Sequence, residues 1–173
     1  MAIIERYQPV ALFIGILFTD ENILKKVLST IHSRFGEMPI ASEQIEFAYT
    51  HYYEKEMGSP IYRMWIGSPE PRDPSELAGW KLISDEIEKE NSNDGKRTIN
   101  LDPGFVGLAK VVLASFKDHP QRLLHHRGVF AEIELIFQNG SWRDVPWTYR
   151  DYKDKPAKDF LLSLRTALHE RLK

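Results

Sequence analysis

The chain has 173 residues, of which 42% are hydrophobic and 28% charged, with a formal net charge of −2 and no cysteine. That length suits one domain spanning 1–173, with a core large enough to need no covalent staple. The lack of cysteine excludes disulfides, thiolate catalysis and cysteine-type zinc sites, and the near-neutral charge offers no global field to gather nucleic acid or an acidic membrane. The opening M-A-I-I-E-R-Y-Q-P has no basic segment leading into an apolar run and a small-residue cleavage site, so it does not read as a secretory signal. No apolar stretch approaches the roughly 20 residues of a membrane span. A soluble cytoplasmic protein is the expectation.

In chain order, Val10 to Phe18 is a continuous apolar run whose length and composition predict a strand buried on both faces. Gly15 in its middle marks either a close backbone approach or simple packing. Thr19 and Asp20 offer an N-cap. Ile23, Leu24, Val27, Leu28, Ile31 and Phe35 then recur at helical spacing until Gly36. Ile45 to Tyr53 alternates, which predicts a strand with Thr50, Tyr52 and Glu54 on one face. Gly58 to Pro60 marks a turn, Ile61 to Ile66 a third strand, and Gly67 to Pro74, with three prolines, a loop. Asp73-Pro74-Ser75-Glu76 is a helix start with an N-cap, proline at the first helical position and glutamate at the capping-box place. Leu77, Trp80, Ile83 and Ile87 mark the buried side of that helix.

Arg97 to Leu101 predicts the fourth strand, with Asn100 and Asp102 opposite Ile99 and Leu101. The order so far, strand, helix, strand, strand, helix, strand, is that of a ferredoxin-like βαββαβ core in an α+β protein. Phe105 to Phe116 fits both a helical stripe and a strand, and β-branching favours a strand over Leu108 to Phe116. As a strand it puts Lys110 and Lys117 on opposite faces; as a helix, on one side. His119 to Arg127 is a basic connection. Val129 to Phe137 predicts a strand with Glu132 and Glu134 on one face and Ile133, Leu135 and Phe137 on the other. Asn139-Gly140 is a turn, Trp142 to Tyr152 an aromatic segment, and Phe160, Leu161, Leu164, Leu168 and Leu172 a C-terminal amphipathic helix. The C-terminal third therefore extends a mainly antiparallel sheet with extra strands and a helix.

Five blocks, H-Y-Y-E-K-E-M-G at 51–58, I-N-L-D-P-G-F at 99–105, V-V-L-A-S-F-K-D at 111–118, G-V-F-A-E-I-E-L at 128–135 and W-T-Y-R-D-Y at 147–152, occur in the order of a bacterial domain-of-unknown-function family numbered 4416. The chain resembles that family over nearly its whole length. The resemblance implies no activity. A GTP-binding label sometimes attached to such proteins finds no support in the residues, because the G-x-x-x-x-G-K-[ST] phosphate loop is absent. Where the family has His-Arg after Lys-Asp, this chain has Gln121-Arg122, which removes a histidine as catalytic group at that place.

The residues themselves suggest a site of paired charges. Glu54, Glu56, Asp102 and Glu132 could supply oxygen ligands to a divalent cation such as Mg²⁺. Glu54, Asp102, Lys117 and Glu132 are the candidate catalytic groups. Tyr52, Asn100, Lys110, Arg122, Glu134 and Tyr149 are candidates for holding a phosphate-containing or other anionic small molecule, the bases by charge and the tyrosines by stacking. The same acids and bases would equally pair with one another on a solvated sheet face. Adjacent His125-His126 is weak evidence for a metal site, since neighbours on a strand point apart and no spaced partner such as H-x-x-x-H exists. Two function classes remain: a small metal-assisted enzyme or binding protein for an anion, and a non-catalytic ligand-sensing or interaction domain that forms a homo-oligomer through a strand edge and the aromatic segment.

Overall fold

The computed structural model describes residues 6–173. Strand β1, Val10–Phe18, lies in the middle of a nine-stranded open sheet and is buried along its whole length. Helices cover both of its faces, so an uninterrupted apolar run is what the position requires. Helix α1, Glu21–Phe35, starts where the Asp20 carboxylate accepts from the N–H groups of Asn22 (2.7 Å) and Ile23 (3.2 Å), and it stops at Gly36, whose φ is 90°. Leu24, Val27, Ile31 and Phe35 form its buried stripe.

Two short strands follow, β2 (Ile40–Ala41) and β3 (Ile45–Glu46), and then a one-turn helix α2 (Glu54–Met57). The expected strand from Ile45 to Tyr53 thus ends after two residues. Its partner is β4, Tyr62–Arg72, and the register Ile45↔Arg63, Glu46↔Tyr62 uses up that strand's first residues. With no ladder left to join, the alternating aromatics fold over the sheet end instead. Phe47 packs against Tyr49 (ring centroids 5.4 Å apart) and Tyr53 (6.2 Å), in a cluster with Leu17, Met57 and Ile61. Thr50, Tyr52 and Glu54 therefore do not share a strand face. Strand β4 also runs six residues beyond the expected Ile66, through Pro69 and Pro71. Past Gly67 its outer side has no partner among the described residues, and the pairing with β1 is bulged between Ala11 and Phe13; edges and bulges are where a missing N–H is tolerated.

Asp73 caps a 3₁₀ turn, Pro74–Glu76, by accepting from Ser75 N–H (2.8 Å), and the turn leads into α3, Leu77–Glu90. Strand β5, Ile99–Val106, pairs with β1, and β6, Lys110–Ser115, pairs with β5, which settles the ambiguous segment as a strand. The basic connection contains a further strand, β7 (Leu123–His126), which pairs with β8, Val129–Gln138. A turn with Asn139 and Gly140 at φ 51° and 78° joins β8 to β9, Ser141–Asp144; two positive φ values fit the right-handed twist of a tight hairpin. The chain closes with α4 (Arg150–Lys153) and α5 (Lys155–Arg171).

Every pairing between these strands is antiparallel, in the order β2-β4-β1-β5-β6-β8-β7, with β3 on β4 and β9 on β8. One core lies between the sheet and α1 and α3; a second, holding Phe13, Trp65, Leu113, Leu135 and Tyr152, lies between the opposite face and α5. A bulge in the β6–β8 pairing corrects the expected faces of β8. Val112 opposes Ile133 while Val111 opposes Leu135, so Glu134 is the extra residue and Leu135 joins Glu132 on the α5 side. No helix among the described residues is long and apolar enough to cross a membrane.

Candidate functional site

A cleft of about 1040 Å³ opens at the end of the sheet where β4 and β5 begin and β6 ends. Its walls come from the aromatic cap over β4, from α3, from the loop after β6 and from the segment leading into α4. The sheet face beneath it carries charged side chains where apolar ones would be usual. Arg63 is the centre of that floor. It is 5% exposed, donates from Nε to Asp151 Oδ2 (3.0 Å) and from Nη1 to Asp102 Oδ2 (3.4 Å), has Nη2 ion-paired with Asp151 Oδ2 at 3.0 Å, and lies over the rings of Phe47 and Trp65. The guanidinium passes over β1 at Gly15, where a Cβ would stand 3.0 Å from Nη1. The mid-strand glycine thus answers a close approach by a side chain. Burial pulls the Arg63 pKa down, but the surrounding negative charge, Asp151 first, outweighs it and the net shift is upward.

From Asp102 the network continues sideways. Asn100 Nδ2 donates to Asp102 Oδ2 (2.8 Å), Arg97 Nη1 donates to Asn100 Oδ1 (2.8 Å), and Arg97 clamps Glu56 through Nε, Nη2 and its backbone N–H. Those hydrogen bonds hold the Glu56 carboxyl below its usual range. Behind them Glu88 of α3 accepts from Leu101 N–H (2.6 Å); burial pushes its carboxyl up to about 7, against the pull of Lys81.

The other end of the cleft is built on Arg122. Its Nε donates to Glu132 Oε2, its Nη1 to Ser115 Oγ and the Lys117 carbonyl (3.0 Å each), and its Nη2 to Tyr149 OH (2.7 Å). Glu134 lies beneath: its Oε1 accepts from Tyr149 N–H (2.5 Å), and its own carbonyl accepts from Thr148 Oγ1 (2.7 Å). Burial, with help from Glu132, pushes the Glu134 carboxyl up to about 8.

Two lysines are less committed than these arginines. Lys117 makes no ion pair among the described residues; its ammonium lies over the Tyr52 ring, 5.1 Å from the centroid, with Nζ 3.4 Å from Tyr52 OH. Lys81 Nζ lies over the Phe116 ring (5.4 Å), donates to the Leu101 carbonyl (3.3 Å) and reaches Asp102 only at 4.0 Å. The lining holds seven Lys and Arg against six Asp and Glu, one of which, Glu88, is held partly neutral at pH 7. Positive charge is therefore in slight excess in the cleft although the whole chain is negative.

Of the residues singled out in the sequence, Tyr52, Glu56, Asn100, Asp102, Lys117, Arg122, Glu132 and Tyr149 line this cleft. Three do not. Glu54 lies on α2 and pairs with His51 (2.8 Å), Lys110 lines a separate groove on the opposite face, as its strand parity requires, and Glu134 is sealed below the floor. Glu54, Glu56, Asp102 and Glu132 do not form the expected cation set. Among the described residues no three acids or histidines are grouped as a metal ion would need, because Glu56, Asp102 and Glu132 are each taken up by an arginine. Sequence reasoning missed Arg63, Lys81, Glu88, Arg97 and Asp151. Arg63 had a signal, a lone charge inside I-Y-R-M-W-I on the same strand face as Trp65. The others have none, since their partners are set by tertiary contact.

A family model, Domain of unknown function (DUF4416), matches residues 8–167. No curated protein and no solved structure matches the chain. With nearly its whole length covered, the chain belongs to that family.

Proposed function

We propose, for a member of a family whose function is unknown, that the cleft binds a small anionic molecule, a phosphate-containing one being the best fit. The observation that carries this reading is the pair Lys81 and Lys117. Both ammonium groups line the cleft and rest on aromatic rings; Lys117 has no ion-pair partner among the described residues, and Lys81 reaches Asp102 only at 4.0 Å. An anion entering there gains Lys117 outright and competes for Lys81 only with its 4.0 Å contact to Asp102, whereas the arginines of the floor are already committed. The exposed rings of Tyr52, Phe116, Trp147 and Tyr149 border the same opening and offer apolar contact to the body of the ligand. The strand order β2-β4-β1-β5, with α1 and α3 on one face, supports a ferredoxin-like core carrying the site. A cytoplasmic setting accords with the absence of cysteine.

The test is thermal unfolding with inorganic phosphate, pyrophosphate and nucleotides, with and without Mg²⁺. A ligand at 100 times its Kd stabilises by about 2.7 kcal/mol. The stabilisation is expected to disappear in a Lys81→Met/Lys117→Met double variant. A shift that survives both substitutions places the anion elsewhere and defeats the reading.

One observation favours a second reading, an assembly domain. Strand β7 is a sheet edge on which all four residues are exposed, Leu123 at 77% and Leu124 at 66%. Such an edge can add a strand from a second copy. Concentration-dependent sizing that is abolished by Leu124→Lys would support it.

A further inference from the structure

Glu132 and Glu134 stand two residues apart on β8, on the α5 side of the sheet, at the bulge. They are 2% and 0% exposed. Each has one carboxyl oxygen that is served by a donor, Glu132 Oε2 by Arg122 and Glu134 Oε1 by the Tyr149 N–H. Each also has one that is not. Glu132 Oε1 and Glu134 Oε2 are buried with no hydrogen-bond partner among the described residues, on side chains two residues apart at the bulge of one strand. Two carboxylates cannot serve one another, because an ionised carboxylate only accepts. Leaving both oxygens bare and charged in the interior is strongly unfavourable, because nothing replaces the water they give up. A single proton removes the conflict: one carboxyl becomes a donor, both orphaned oxygens are satisfied, and the pair keeps one negative charge opposite one arginine.

We propose that Glu132 and Glu134 form a proton-binding site in the floor of the cleft, Glu134 donating from Oε2 to Glu132 Oε1, and that this pair is the acid–base group available to whatever the cleft binds. Glu134 is the partner that keeps the proton, since Arg122 stabilises the charge on Glu132 while only a backbone N–H faces Glu134. The groups around the pair agree. Arg122 and Gln121 approach Glu132 from the loop before β7, the latter at 3.5 Å; Tyr149 and Asp151 approach from the start of α4, Asp151 adding negative charge; Ser115 of β6 accepts from Arg122 and from the Lys117 N–H. Burial and the Glu132 charge push Glu134 in the same direction. Glu132 itself lines the cleft, so the proton lies one carboxyl away from the ligand space. Carboxyl pairs that share a proton are a recurring way to keep an acid and a base side by side near neutrality. Acid–base use of the pair rests on the cleft being the ligand site; its proton does not.

The experiment is a ¹³C NMR titration of the ligand-free protein, labelled at glutamate Cδ, from pH 4 to 9. A step above pH 7 is expected, sensed by the resonances of both glutamates of the pair. Glu134→Gln keeps a donor toward Glu132 but cannot titrate; it is expected to delete the high step. Glu132→Gln provides the reciprocal assignment. If every glutamate carboxyl of the wild-type protein, Glu88 assigned separately through Glu88→Gln, titrates below pH 5.5, no proton is shared and the proposal falls. Because no ligand is added, that outcome is independent of whether phosphate compounds bind, which the thermal screen decides.

Discussion

Replacing Arg63 with methionine removes the cation on which the cleft floor is assembled while roughly keeping the side chain's length. Asp151, 4% exposed, loses its hydrogen bond from Nε (3.0 Å) and its ion-pair contact with Nη2 (3.0 Å). Asp102 loses a third, at 3.4 Å, but keeps Asn100 at 2.8 Å. Breaking a buried ion pair from one side costs about 3–5 kcal/mol, because the remaining charge stays buried without a counter-ion. With Asp102 partly compensated, Arg63→Met is expected to lose about 4 kcal/mol. Against a usual domain stability of about 5–15 kcal/mol the loss is large but survivable, and at a urea slope of about 2 kcal/mol/M the midpoint falls by about 2 M. A double-mutant cycle with Asp151→Asn isolates the pair. Arg63→Met should cost much less once Asp151 is neutral, with a coupling energy of about 1.5–3 kcal/mol. A loss below about 1 kcal/mol for Arg63→Met, or a cycle that closes to zero, refutes the view that this arginine organises the floor.

Two more expectations concern stability. The Glu134 and Glu88 carboxyls are pushed up to about 8 and about 7, so the folded chain holds protons that the unfolded chain releases above pH ~4.5. Stability from these groups is full below that pH and is lost as pH rises through 7 to 8; a decline of about 1–3 kcal/mol between pH 5 and 8 is expected in denaturant titrations, flatter in Glu134→Gln, and a wild-type stability that rises over this window contradicts it. At Gly104 a Cβ would run into the Val112 carbonyl oxygen of the neighbouring strand and come within 2.7 Å of the Phe13 ring. Gly104→Ala is therefore expected to cost about 2–3 kcal/mol by thermal unfolding, and a neutral outcome would mean that β5 and β6 can separate freely.

The parts of the fold that were legible in the sequence are those whose signal is local. β1 reads from its unbroken apolar run, α1 from Asp20, its stripe and Gly36, and the β8–β9 hairpin from Asn139-Gly140. Ile45 to Tyr53 misled because aromatic alternation is the same whether the chain runs in a ladder or folds its rings over the sheet end, and only the limited length of β4 decides between them. Pro69 and Pro71 hid the second half of β4, since nothing local says that its outer side is an edge. In the site, Asn100, Asp102 and Glu132 were visible as polar residues set into apolar strands. Their partners were not: Arg63 and Asp151 are 88 residues apart, and Arg97 and Glu56 are 41 apart. The bulge at Glu134 erased the two-residue alternation that assigned Leu135 to the wrong face.

The anion-binding account is tested most directly by ¹H–¹⁵N chemical-shift mapping during titration with inorganic pyrophosphate, with the arginine Nε–H and lysine Nζ groups observed alongside the backbone amides. Saturable shifts are expected at Lys81, Lys117 and Arg122 and at the amides of Tyr52, Phe116 and Tyr149, with Lys110 and His125 in the opposite groove unmoved. Shifts centred on Lys110 and His125, or none at millimolar pyrophosphate, would contradict it.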